Sequence, residues 1–311
     1  VLRTCPVRPG PASGHGRAAT ELRRPGQMRG SDVQRAAPDV GATVEAATGG
    51  DEGSPLARFS VDAAFVAGEP SRARDLFERD GLLHIRGAVP RAAAEAVAAQ
   101  VAEELPRRRA EGDASWFGDV HGYGDANVGG ERWDLKLALT PEVRAVLAAK
   151  LGCLQGLLER LRPSWQLAEL AAMCTFPGDP GQPVHSDTSH IFDQPAVTIF
   201  VALHVIAPER GPTRFYPRTH KDNEVLMGYN DRDEGSAVLG TMECGDCCVM
   251  DSRLLHCGTA NTSSSHRFLF YSTWTPPVRK SRGSTNTLLA EYEERELRLS
   301  AWRDWAATPG S

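Results

Sequence analysis

Val197-Thr198-Ile199-Phe200-Val201-Ala202-Leu203 is the stretch that decides the fold. Seven apolar or β-branched residues in a row, with turn residues on either side, suit a strand. Other short runs stand on either side: Leu167 to Phe176, Arg214-Phe215-Tyr216, Cys247 to Met250, Leu254 to Cys257 and Phe268 to Trp274, with Gly, Pro and Asp between them. Several short strands separated by turns predict a sandwich or barrel, and a jelly roll fits.

The chain before Pro163 reads differently. Ser71 to Asp80 predicts a short helix ended by Gly81, and Leu82 to Arg86 a strand. Pro90 opens a helix that carries Val97, Val101 and Leu105 on one face. Residues 107–130 are charged and Gly-rich, with Trp116, Phe117 and Tyr123 among them, and predict a long loop acting as a lid or substrate loop. Thr140-Pro141-Glu142 caps a helix running through Leu151, with a second helix or its continuation to about Leu161. A last helix is expected at about 285–306. The expectation is a mainly β fold with flanking helices: one domain over 56–311, with its β core at about 165–277.

Residues 1–55 are rich in Ala, Gly, Pro and Arg and nearly free of aromatics, which predicts a disordered tail. Val1 to Arg35 holds seven arginines against Glu21 and Asp32, a bias that an organelle-targeting segment would share. The net charge of −5 offers no basic stripe for nucleic acid, and no apolar run approaches the roughly 20 residues of a membrane span. Seven scattered cysteines do not form the framework of a small secreted domain, so an intracellular, reducing setting is expected, in the cytoplasm or in an organelle. Cys244 and Cys247 have a CxxC spacing, read first as small apolar residues of a buried strand. The oligomeric state is not legible.

Chemistry enters with His185-Ser186-Asp187, His256 and Arg267. In an extended segment His185 and Asp187 emerge on one face, and Pro183 disfavours a helix there. Two imidazoles and a carboxylate occupy one face of an iron(II) ion and leave the other open. His190, His204, His220 and His266 compete for the role. Arg267 begins the strand that returns after His256. In a hairpin it would point into the same cavity, where a buried guanidinium needs an anion. The alternative for Arg267 is a surface ion pair.

The chain resembles the phytanoyl-CoA dioxygenase family of iron(II)/2-oxoglutarate oxygenases from about residue 70 to 277. The matching pieces are Gly181 to Asp187, Val197 to Leu203, Glu209 to Pro217, Thr219-His220-Lys221, Gly245-Asp246, His256, and Asn261-Thr262-Ser263 leading to Arg267. The resemblance implies a double-stranded β-helix, or jelly-roll (cupin-like) barrel. It implies His185, Asp187 and His256 as the catalytic iron ligands and Arg267 as the grip on the distal carboxylate of 2-oxoglutarate. Phe200 would lie beside the cosubstrate, Lys136 would reach the site, and Ser186 would assist where relatives carry Gln. Relatives also carry Pro-Gly-Ser-His where this chain has Pro217-Arg218-Thr219-His220, so its turn lacks the family's glycine.

The implied activity is a dioxygenase that uses iron(II), 2-oxoglutarate and O2, with ascorbate as an assay supplement. It would hydroxylate an unactivated C–H bond of a small-molecule or acyl substrate and release succinate and carbon dioxide. Related halogenases have Gly or Ala in place of the carboxylate, so Asp187 favours hydroxylation. Two other classes stand beside this reading: a catalytically silent ligand-binding relative, and a zinc protein using Cys244, Cys247, His256 and Cys257.

Overall fold

The computed structural model describes residues 55–118, 132–162, 164–188, 196–221, 236–277, 288–292 and 298–306. The expected tail before residue 55, most of the loop at 119–131 and the segment around Tyr229 lie outside these residues.

Among the described residues, ten strands and five helices follow in chain order. They are β1 (Ser60–Asp62), α1 (Ala63–Gly68), α2 (Pro70–Asp80), β2 (Leu82–Arg86), α3 (Arg91–Glu111), β3 (Arg132–Lys136) and α4 (Pro141–Leu161). There follow β4 (Gln166–Thr175), β5 (Val197–Ala202), β6 (Thr213–Phe215), β7 (Val238–Leu239), β8 (Cys247–Asp251), β9 (His256–Gly258), β10 (Arg267–Thr275) and α5 (Leu299–Ala306). Seven strands form one sheet in the order β1-β2-β8-β5-β10-β4-β3, and three form a second in the order β7-β6-β9. Pairing is antiparallel except between β1 and β2.

Side-chain alternation explains why the strands read as largely apolar runs. Val197, Ile199, Val201, Phe268, Phe270 and Trp274 pack with the helices on one face of the large sheet. Phe200, Ala202, Leu269 and Tyr271 point the other way and pack with Phe215 and Val238 of the small sheet. Both faces of β5 and β10 are therefore buried, the situation that removes polar alternation. The result is a jelly-roll fold of two facing sheets with helices on the outer side. Among the described strands the two ladders do not join into a closed barrel.

Several boundaries differ from the sequence reading, for local reasons. The helix expected to end near residue 106 continues to Glu111 despite the internal Pro106. Arg107 and Arg108 pair with Glu104 and Glu111 across the gap, and Gly112 in the left-handed region (φ 70°) closes the helix. α4 is one helix through Gly152 and Gly156. A Cβ at Gly156 would lie 3.0 Å from Pro70, so glycine admits the start of α2. The expected last helix is described over α5, and a 3-10 turn stands before it at Ala290–Tyr292. Arg218 takes up the turn left without its glycine: its φ is 73°, and its side chain donates to Asp80 at 2.9 Å, which helps offset the strain.

Lys150 of α4 is fully buried and donates to Ser272 Oγ at 2.5 Å, with no carboxylate partner among the described residues. Burial pushes its amine down to about 7. Between about 7 and the ordinary 10.5 the unfolded chain holds a proton that the folded chain has released, so stability rises with pH across that window. Lys150→Met is expected to be more stable than the parent at pH 6, with the gain fading toward pH 10.5. Since one pKa unit corresponds to about 1.4 kcal/mol, the low-pH gain should be of order several kcal/mol. Urea midpoints of the two proteins across pH check it, and parallel curves would contradict it.

Candidate active site

The loop after β4 brings His185 against β9. A Cβ at Gly181 (φ 91°) would lie 2.8 Å from the Gly258 carbonyl oxygen, so only glycine lets the loop lie this close. The Gln182 amide donates to that carbonyl at 2.8 Å. His185 and His256 then exchange backbone hydrogen bonds at 2.9 and 2.8 Å. His185 thus adds an antiparallel bridge beside β9, and both imidazoles stand side by side, with ring centroids 4.4 Å apart.

Asp187 completes the group. Its Oδ1 lies 3.4 Å from His256 Nε2 and 3.8 Å from His185 Nε2, and the three ligand atoms all fall within 4.8 Å of one another. Adjacent donors around a six-coordinate ion with bonds near 2.1 Å stand roughly 3 Å apart, so a divalent cation would draw the three side chains inward from these separations. Each Nδ1 faces a carbonyl, Pro183 at 2.8 Å and Leu254 at 2.9 Å, which holds the proton there and leaves Nε2 free to ligate. Burial alone would push the His256 imidazole down. The charge and hydrogen bond of Asp187, with the Leu254 carbonyl, outweigh it and raise the pKa. The side chains of His185 and His256 are 10% and 7% exposed and that of Asp187 34%, so the group opens to solvent on the carboxylate side.

The competing histidines are otherwise engaged. His204 Nε2 accepts the Phe268 amide at 2.8 Å, and burial pushes its pKa down to about 4. His220 Nε2 faces the Glu78 carbonyl, and His266 packs against Phe176 with its ring tilted. His190 lies outside the described residues. The zinc set does not form. Cys244 and Cys247 pack with the helix-side core of the large sheet, whereas His256 and Cys257 lie on β9 of the small sheet, and among the described residues the one metal-ligand group is His185, Asp187 and His256.

Arg267 is not across a hairpin from His256. β9 belongs to the small sheet and β10 to the large one, so residues 259–266 cross between sheets. The guanidinium is wholly buried. It donates through Nη1 to the Gly211 carbonyl and through Nη2 to Thr175 Oγ1 at 2.8 Å and Met173 Sδ at 3.5 Å. Its Nε has no partner, and no carboxylate of the described residues lies within ion-pair distance. Burial first, then the nearby Arg132, pushes its pKa down to about 9, which still leaves it charged at neutral pH. A buried cation that lacks a counterion is a site for an anionic ligand.

Cross-sheet register places the remaining expected residues. Arg132, Thr175 and Arg267 form one row of the inner face; Asp134, Met173, Leu269 and Ala202 form the next; Lys136, Ala171, Tyr271 and Phe200 form the third. Lys136 and Phe200 therefore share a row and a face with the site, four positions along from Arg267. Lys136 also borders a cavity of about 50 Å³ beside Glu104, Arg108 and Trp116. The Ser186 hydroxyl has no partner among the described residues.

Thr175 and Met173 were not anticipated. Their signal is placement on the inner face of β4, opposite a buried arginine, and that requires knowing the register. Asp134 was also missed. Burial lifts its carboxyl to about 7 although the Tyr271 hydroxyl donates to it at 2.6 Å.

The phytanoyl-CoA dioxygenase (PhyH) family profile matches residues 77–269, more than half of the chain. The chain belongs to this family. The match spans all three residues of the metal-ligand group, and Arg267. Among solved structures, the non-heme alpha ketoglutarate dependent epimerase SnoN from nogalamycin biosynthesis is 19% identical, with a TM-score of 0.52 over 67% of this chain and 81% of that one. The non-heme alpha ketoglutarate dependent carbocyclase SnoK from the same biosynthesis is 19% identical, with a TM-score of 0.50 over 73% of this chain and 94% of that one. At these identities the likeness is one of fold, and the phytanoyl-CoA dioxygenase assignment rests on the family profile. No curated relative matches the chain. No helix among the described residues is long and apolar enough to cross a membrane.

Proposed function

We propose that this phytanoyl-CoA dioxygenase family member is an iron(II)- and 2-oxoglutarate-dependent oxygenase that hydroxylates an unactivated C–H bond of a small-molecule or acyl substrate. One observation carries the reading: three metal-ligand side chains converge at one point, and on the facing sheet a wholly buried arginine makes no direct ion pair with a carboxylate of the described residues.

His185 Nε2, Asp187 Oδ1 and His256 Nε2 would hold the iron. The metal with 2-oxoglutarate and O2 supplies the oxidising power for the C–H bond, and succinate and carbon dioxide are the co-products. The chain supplies placement. The Pro183 and Leu254 carbonyls fix both imidazoles in the ligating tautomer. Arg267 and Thr175 would seat the distal carboxylate of 2-oxoglutarate, so that its keto-acid end faces the metal. Phe200, Leu269 and Tyr271 exclude water from the inner face. Lys136, Phe200 and Ser186 are proposed as further lining of the cosubstrate pocket.

Succinate release by the purified protein, screened across candidate substrates with iron(II), ascorbate and 2-oxoglutarate, tests the activity. A silent ligand-binding relative would release none with any of them. Asp187 occupies the position that a halide would need, so added chloride is expected to leave a hydroxylated product unchanged. A chloride-dependent chlorinated product in mass spectra would contradict hydroxylation.

A further inference from the structure

A second buried arginine stands where the two halves of the metal group meet. Arg132 lies on edge strand β3, and its side chain is only 2% exposed. Its Nη2 and Nε donate to Asp179 at 2.8 and 3.4 Å, and its Nη1 donates to Gln182 Oε1 at 2.7 Å. The same Gln182 oxygen accepts the Gly258 amide at 3.1 Å, while the Gln182 amide donates to the Gly258 carbonyl. Asp179 Oδ1 also accepts the Gly181 amide at 2.9 Å. Gln182 is three residues before His185, and Gly258 is two after His256.

Gly258 has no left-handed φ to explain its glycine. A Cβ there would lie 2.4 Å from Arg132 Nη1, 2.8 Å from Nη2 and 2.9 Å from Gln182 Oε1. A side chain at 258 and this placement of the guanidinium exclude one another.

We propose that Arg132 is a positioning residue for the metal centre, a clamp that sets the spacing of the His185 arm and the His256 strand through Gln182 and Gly258. The inference rests on the proposed iron site and deepens it. A purely stabilising ion pair would alter unfolding and leave metal affinity alone. A clamp alters metal affinity and ligand-field geometry in protein that remains folded.

The test is titration with cobalt(II) alone, followed by its visible absorption and by calorimetry, with folding checked by circular dichroism. Gly258→Ala is expected to weaken cobalt about tenfold to a hundredfold and to shift its bands. Arg132→Met/Asp179→Asn, which removes the ion pair without stranding a buried carboxylate, should weaken cobalt similarly. Adding Gly258→Ala to that background should cost less than it does in the wild type, because the two guanidinium contacts are gone and only Gln182 Oε1 at 2.9 Å remains. Equal further loss in both backgrounds, or unchanged cobalt binding by Gly258→Ala, would overturn the clamp. If the charge-removed background does not fold, Gln182→Met carries the test by removing the side-chain amide that holds the shared acceptor while leaving the ion pair in place, and wild-type affinity in that variant overturns the proposal. Absence of cobalt binding by the wild type would instead remove the iron site itself, so the two failures are distinguishable.

Discussion

His256→Ala should bind no stoichiometric iron(II) and release no succinate above background. His256 is the most enclosed of the three ligands, held from behind by the Leu254 carbonyl and from the side by Asp187 at 3.4 Å. Its removal leaves one imidazole and a carboxylate that is one-third exposed, a pair with little hold on a divalent ion in water. His185→Ala and Asp187→Ala should behave likewise. The backbone bridge between residues 185 and 256 does not depend on the imidazoles, so the variant should keep its secondary structure. Metal analysis after desalting, with circular dichroism alongside, checks both points. Wild-type iron content in the folded variant would remove His256 from the ligand set.

Arg267→Ala should act on the cosubstrate instead. Truncating one partner of a buried, hydrogen-bonded charge pair costs about 2–5 kcal/mol, so the KM for 2-oxoglutarate should rise between about thirtyfold and several thousandfold. Iron should still bind, because Arg267 touches none of the three ligands. Arg267→Lys keeps the charge, loses the fork that matches a carboxylate, and should fall between the two. The guanidinium is buried and makes no direct ion pair with any described residue, so 2-oxoglutarate should also raise the Tm of the wild type, and much less that of Arg267→Ala. An unchanged KM and an equal thermal shift in both proteins would move the cosubstrate elsewhere.

How much of this was legible in the sequence depended on range. Val197 to Leu203 and Phe268 to Trp274 could be read as strands because both their faces are buried, which leaves runs rich in apolar and β-branched residues, broken in the second only at Ser272. The His185–Asp187 pair was legible from spacing and chemistry, since two residues apart on an extended segment is a local relation; His256, on a distant strand, was supplied by the family resemblance. Thr175 opposite Arg267 was not legible, because cross-strand register links residues 92 positions apart. For the same reason the crossing from β9 to β10 was read as a hairpin: a polar stretch of eight residues between two strands looks alike whether it turns back or changes sheets. Arg132 was invisible as a clamp for a further reason. Its importance shows only in what Gly258 lacks, and a missing side chain has meaning only once its neighbours are placed.

The most direct test of the central claim is anaerobic addition of iron(II) and then 2-oxoglutarate, followed by visible absorption. The account predicts a broad metal-to-ligand charge-transfer band that saturates at one 2-oxoglutarate per chain, needs higher concentrations in Arg267→Ala, and is absent in His256→Ala. No band in the wild type, or an undiminished band in His256→Ala, would contradict it.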